Sequence, residues 1–167
     1  MLGKVEVKLV IDVETKGKRQ SGNVIGEIPG HTDEIVIIGG HLDSWDLGTG
    51  AVDDGAGIGI TVGAAKLILD MNQKPHRTIR VVMFGAEEVG LVGARAYAKQ
   101  HKFEIDKHIV GAESDFGAGK IWSFETRFAD SKLAMAQEMH KVLEPLGIAL
   151  GGNKASGGPD MGPLRTM

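Results

Sequence analysis

At 167 residues, with 42% hydrophobic and 25% charged residues, the chain has the size and composition of one ordinary globular domain. A formal net charge of −3 excludes the dense positive field that nucleic acid or an anionic membrane selects. With no cysteine, disulfides and thiolate metal sites are excluded, so any metal must be held by His, Asp and Glu. No apolar run is long enough to span a bilayer, and MLGKVEVKLV lacks the layout of a signal peptide, so a leader of an exported parent would lie outside this chain.

In chain order, Val5, Val7, Leu9, Ile11 and Val13 alternate with polar neighbours and predict a half-buried strand. A second short strand is expected over Val24 to Ile28, closed by Pro29-Gly30. The run EIVIIGG over Glu34 to Gly40 is continuously apolar, the pattern of a central strand covered on both faces. After a glycine-rich loop, a helix is predicted from Asp54 to about Asp70. Its apolar residues Ile58, Ile60, Val62, Ala65, Leu67, Ile68 and Leu69 crowd nearly all round, so it reads as well buried. TIRVVMFG from Thr78 to Gly85 is another buried strand, and Leu91 to His101 a helix. His108 to Glu113 reads as a strand and Ile121 to Phe124 as a shorter one. Asp130 has the character of an N-cap for a helix to about Leu146, and Gly151 to Met167 reads as loop. The alternation predicts an α/β domain with a mixed sheet flanked by helices.

Acids and one histidine collect at the C-terminal ends of the apolar strands, where open α/β sheets place their sites. His41-Leu-Asp43 directly follows EIVIIGG; in extended chain both side chains project to one side, so a carboxylate could accept the second ring N–H of a metal-bound imidazole. Asp53-Asp54-Gly55 opens the first helix. One aspartate there would be explained by capping, but two adjacent carboxylates repel unless a cation relieves them. Glu87-Glu88 follows the strand TIRVVMFG, and such a pair can divide labour, one carboxylate ligating metal and the other taking a proton from water. Glu113-Ser-Asp115 ends a further strand and, alone, reads as a polar turn. Together these clusters concentrate more negative charge at one sheet edge than could be buried without a cation.

In this order and spacing, GGHLDSWDLGTGAVDDGAG, FGAEE and ESD resemble the family of di-zinc exopeptidases that includes secreted bacterial aminopeptidases and plasma glutamate carboxypeptidase. The likeness runs from about Asn23 to Leu164 and is nearest to the plasma glutamate carboxypeptidase branch, through HLDSWD and DDGAG. It implies a mainly parallel sheet in a three-layer sandwich, with residues 1–167 forming one partial catalytic domain, incomplete at both ends. It further implies that His41 and Asp115 hold one zinc, that Asp53 bridges to a second zinc held by Glu88, and that Asp43 orients His41. Glu87 would be the general base of metal-assisted peptide hydrolysis, relaying a proton to the leaving amine. The substrate would be a peptide or dipeptide, with no nucleic acid or membrane partner, in a secreted or periplasmic full-length protein.

One departure stands out. The family supplies a second histidine ligand, to the zinc held by Glu88, from beyond a GGPDMGPL-like segment, whereas this chain stops at Met167. His101, His108 and His140 fall in predicted helix or strand positions and match no such motif. The resemblance therefore implies two zinc ions in the complete enzyme and one in this chain. A non-catalytic relative with the same fold, such as the transferrin receptor ectodomain, is the competing reading; retention of Asp53 and the Glu87-Glu88 pair favours the enzyme. Asp160 in GGPDM could support the missing histidine or line the substrate pocket, but a turn aspartate beside Pro159 is the favoured reading. Gly55, Gly57 and Gly59 fail the dinucleotide-binding spacing.

Overall fold

The computed structural model describes residues 3–14 and 16–167. Four strands form the main sheet: β1 (Val24–Ile28), β2 (Ile35–His41), β3 (Thr78–Phe84) and β4 (His108–Glu113). Their order is β1-β3-β2-β4, with β1 antiparallel to β3 and both β2 pairings parallel. The helices are α1 (Gly55–Asp70), α2 (Val92–Gln100), α3 (Leu133–Leu143) and α4 (Met161–Arg165). A small parallel pair, β5 (Ser123–Phe124) and β6 (Ala149–Leu150), stands apart from the main sheet.

Alternation along the central strands divides the core into two layers. On one face Ile37, Val82 and Phe84 pack with Ala94 and Tyr97 of α2 and Met161 of α4. On the other, Val81 and Ile28 meet Ala65 of α1, joined by Ile38, Ile79, Met83 and Ile68. Helices on both faces of a mixed, mainly parallel sheet are the expected sandwich. The chain leaves β2 for α1 on one face and β3 for α2 on the other, so the adjacent C-terminal ends of β2 and β3 form a switch point.

Several expectations are corrected. Val5 to Val13 forms no strand: Val5, Val7, Leu9, Ile11 and Val13 are between 67% and 86% exposed. Alternation dictates which side chains would share a face, but a strand also needs a neighbour's hydrogen bonds, and among the described residues this segment pairs with none. Helix α1 buries only its sheet-facing stripe, Gly57, Thr61 and Ala65, while Ile60, Val62, Leu67 and Leu69 stand exposed on faces that no described residue covers. Asp130 caps nothing with its side chain; it begins a single 3-10 turn, and α3 starts at Leu133. The tail is not all loop, since β6 and α4 fall in or beside it.

Candidate metal centre

The parallel register places three strand ends side by side: His41 lies opposite Phe84, and Gly39 opposite Glu113. The segments that follow must therefore emerge together, and they carry the acids. His41 itself is 1% exposed. Its ring Nε2 lies 2.9 Å from Asp53 Oδ1 and 3.0 Å from Asp115 Oδ1. Ligand atoms of His41, Asp53 and Glu88 lie within 4.8 Å of one another, as do those of His41, Asp54 and Asp115.

The neighbouring aspartates divide the work. Asp54 is the N-cap of α1: its Oδ1 accepts from Gly57 N–H at 3.1 Å, and its Oδ2 accepts from His41 N–H at 2.9 Å. Its carboxylate thus welds the helix start to the end of β2. Asp53, across a cis peptide bond, keeps its side chain 60% exposed and turned to the His41 ring. Gly57 is required where it stands because any side chain there would collide with the carbonyl of Ser114, so α1 and the residue before Asp115 touch backbone to backbone.

Asp43 differs from expectation in one atom. The partner of His41 Nδ1 is the main-chain carbonyl of Asp43 at 2.9 Å, while the nearer carboxylate oxygen lies at 3.7 Å. The tight turn after β2 brings the carbonyl under the ring and releases the side chain for another task. Its Oδ1 accepts from Glu87 N–H at 2.8 Å and its Oδ2 from Glu88 N–H at 3.1 Å. Asp43 therefore joins the loops after β2 and β3. Glu87 and Glu88 sit between two residues with positive φ, Ala86 at 58° and Leu91 at 56°, an unfavourable backbone state for side chains with a Cβ.

With Nδ1–H spent on a carbonyl, Nε2 is the free ring atom, and two carboxylates face it. Without a cation a proton must stand there, making the ring an imidazolium. Burial opposes that charge, but Asp115, through charge and hydrogen bond, and Asp54, through charge, outweigh it and raise the His41 pKa. Burial raises Glu87, with His41 opposing and Asp115, Glu88 and Asp43 adding to the rise. Burial likewise raises Asp54. One oxygen of Glu88 is buried with no hydrogen-bond partner. An orphaned carboxylate oxygen, a ring nitrogen and further carboxylates within a few ångströms fit the His/Asp/Glu donor set of zinc.

The other histidines are engaged elsewhere. His101 Nδ1 meets Glu104 at 2.6 Å, His108 Nε2 meets the Tyr97 hydroxyl at 2.8 Å, and His140 Nε2 meets the Ile148 carbonyl at 2.9 Å. His31 and His76 lie on loops at the opposite end of the sheet. Two further acids lie near the site: Glu113, read from the sequence only as part of a turn cluster, and Asp160, favoured there as a turn aspartate over a supporting or pocket-lining role, whose side chain is fully buried. Burial raises both, and their mutual contact adds to the shift of Glu113.

The model of Peptidase family M28 matches residues 23–158. Carboxypeptidase Q of Rattus norvegicus is 37% identical over 156 residues, covering 92% of this chain and 33% of that protein. The human carboxypeptidase Q is 37% identical over 147 residues, covering 87% and 31%. The crystal structure of a Peptidase M28 precursor from Shewanella amazonensis SB2B superposes with a TM-score of 0.83 at 57% identity, over 86% of this chain and 33% of that one. A zinc aminopeptidase from Bacillus subtilis shares the fold, with a TM-score of 0.66 at 22% identity over 86% and 37%. The chain thus spans about a third of the length of the curated relatives it matches.

Proposed function

Because this chain belongs to Peptidase family M28, we propose that it carries the metal-binding face of a zinc-dependent exopeptidase that cleaves peptides or dipeptides near a chain end. The observation that carries this reading is the meeting of His41 Nε2 with Asp53 and Asp115 at 2.9 and 3.0 Å beside an orphaned oxygen of Glu88. His41, Asp53 and Asp115 would hold one zinc; Asp53 and Glu88 would contribute to a second. Among the described residues the other five histidines are engaged away from the site, which supports the reading that none of them completes the second ion's ligands. Bound here, zinc would supply Lewis-acid polarisation of the scissile carbonyl and acidify water.

The protein's own groups account for the rest. Asp43 fixes the ring through its carbonyl and the Glu87-Glu88 backbone through its carboxylate. Glu87, its pKa raised mainly by burial, is suited to take a proton from the attacking water and return it to the departing amine as the C–N bond breaks. The carboxypeptidase and aminopeptidase names among the relatives support exopeptidase chemistry at either terminus. The Peptidase M28 precursor among the solved relatives supports export of the full protein.

The test is zinc content by elemental analysis together with hydrolysis of aminoacyl and dipeptide substrates. One tightly bound zinc per chain, with little turnover from this chain, is expected. In the full-length protein Glu87→Gln should lower turnover by about 10²- to 10⁴-fold, the usual contribution of a general base, while the metal stays. Retention of zinc by His41→Ala, or full turnover by Glu87→Gln, would refute the reading.

A further inference from the structure

Among the described residues β4 is the outermost strand on its side of the main sheet, paired with β2 alone. At its start even that pairing falters. Ile35 lies opposite His108 and Val36 opposite Val110, so Ile109 is an extra residue and the register slips beside it. An edge strand interrupted by a bulge has little ladder to hold its end. Side chains hold this one, and they converge on the half-buried ring of His108.

His108 Nδ1 lies 3.1 Å from the main-chain carbonyl of Glu104, which can only accept, so Nδ1 carries the ring hydrogen. In the neutral ring Nε2 is then an acceptor, and the Tyr97 hydroxyl donates to it at 2.8 Å. The Tyr97 oxygen in turn accepts from Arg80 Nη1 at 2.8 Å. The hydrogens therefore run one way, from Arg80 of β3 through Tyr97 of α2 to His108 and on to the 3-10 turn Lys102–Lys107. A second ring proton has no place in this relay. At Nε2 it would face the Tyr97 hydrogen, and a hydroxyl that turned away would leave the acceptor the structure gives it. It would also set a cation 3.5 Å from Arg80 Nη1.

The other charges around the ring are already engaged. Glu104 Oε1 receives Arg80 and meets His101 Nδ1, each at 2.6 Å, and Glu27 of β1 receives Arg80 at 2.6 Å. His101 stacks on Tyr97 with ring centroids 4.2 Å apart, Lys107 turns to Asp33 at 2.9 Å, and β2 presents the apolar Ile35. Burial is the largest influence on His108 and lowers its pKa; the charges of Arg80 and His101 add to that, while the carbonyl and charge of Glu104 oppose it.

We propose that His108 is an acid-sensitive clasp: neutral, its ring ties α2, β3 and the 3-10 turn to the start of β4, and protonated, it releases that end of the edge strand. The clasp lies at the opposite end of β4 from Glu113 and Asp115 and needs no metal. Because the folded pKa is lowered, the clasp's stability is present above the ordinary imidazole value and is lost as pH falls through it toward the lowered one.

Amide hydrogen exchange and thermal unfolding in chelator, at about pH 7.5 and about pH 5.5, test it on the wild-type chain and on His108→Gln. In the wild type, exchange of the amides from Lys102 to Val110, corrected for its intrinsic pH dependence, should quicken several-fold more on acidification than that of α1. In His108→Gln this extra acceleration should vanish, and the melting temperature of the wild type, higher at the upper pH, should approach that of the variant at the lower one. Comparing the two chains cancels the titrations they share, His41 included. Melting temperatures that stay the same distance apart, or the same acceleration in both chains, would overturn the clasp. Should His108→Gln fail to fold, ring-nitrogen NMR of the wild type decides: a neutral ring with its hydrogen on Nδ1, titrating below the ordinary imidazole value, is expected. A hydrogen on Nε2, or titration at or above that value, would refute the proposal.

Discussion

Two regions of this molecule bury charge, and they do it in opposite ways. Around Arg80, which is 7% exposed, one cation is surrounded by what it needs: Glu27 and Glu104 each at 2.6 Å and the Tyr97 hydroxyl at 2.8 Å. Around His41, one ring stands against the carboxylates of Asp53 and Asp115, with Asp43, Glu87 and Glu88 close by, and one oxygen of Glu88 is left without a partner. A balanced cluster is architecture, because its charges are answered within the chain. An unbalanced one is a demand for something brought from outside, and here that something is positive.

The contrast is broken most severely at Arg80. Arg80→Met should destabilise the fold by about 3–5 kcal/mol, since Glu104 and Tyr97 would be left buried without their partner, while zinc affinity stays within a few-fold. Chemical denaturation and zinc titration check both halves. His41→Ala should do the reverse: zinc affinity should fall by on the order of 100-fold or more for a lost ligand, with stability in chelator nearly unchanged or higher. A variant that loses both together would show that the clusters are not separable.

A smaller effect separates them by pH. His41, Asp54, Glu87, Glu113 and Asp160 all have folded pKa values above their ordinary ones, Asp160 reaching about 7 and Glu113 about 9. The folded state therefore binds more protons than the unfolded chain across neutral pH. Stability from these groups is present below their ordinary values and is lost as pH rises through the raised ones. In chelator the melting temperature should fall between pH 7 and 9. Zinc must displace the Nε2 proton, so its binding strengthens as pH rises through the raised His41 value. The difference in melting temperature with and without zinc should then widen with pH, and a constant difference would contradict the placement of the proton. Smallest of all, Asp70→Ala, which breaks the exposed Lys66–Asp70 pair at 2.6 Å, should change stability by no more than about 0.5 kcal/mol and leave zinc binding alone.

Much of this was legible in the sequence, for identifiable reasons. β2, β3 and β4 declared themselves because a strand covered on both faces must be apolar throughout, and the acids declared themselves by following those strands. Features that depend on partners distant in the chain were not legible. The alternation of Val5 to Val13 names a face but no neighbour, and the apolar girth of α1 does not say how much of it is covered. Whether His41 leans on the carboxylate or the carbonyl of Asp43 is decided by a turn of a few ångströms. Asp160 looked like a turn residue because the contact that buries it comes from Glu113, 47 positions earlier. Helix α4 was hidden by Gly162 and Pro163, which score as loop although Pro is tolerated in a helix's first turn.

The double grip of Asp43 bears on how fast the centre fills. Because one residue holds the imidazole with its carbonyl and two glutamate amides with its carboxylate, the donors from two loops arrive already assembled. Little ordering is then left for the moment of encounter. Capture should be timed by the ion shedding its own hydration shell, so cations that exchange water quickly should load sooner than sluggish ones of equal final affinity. Stopped-flow mixing would see this as a rate that follows the ion and not the protein.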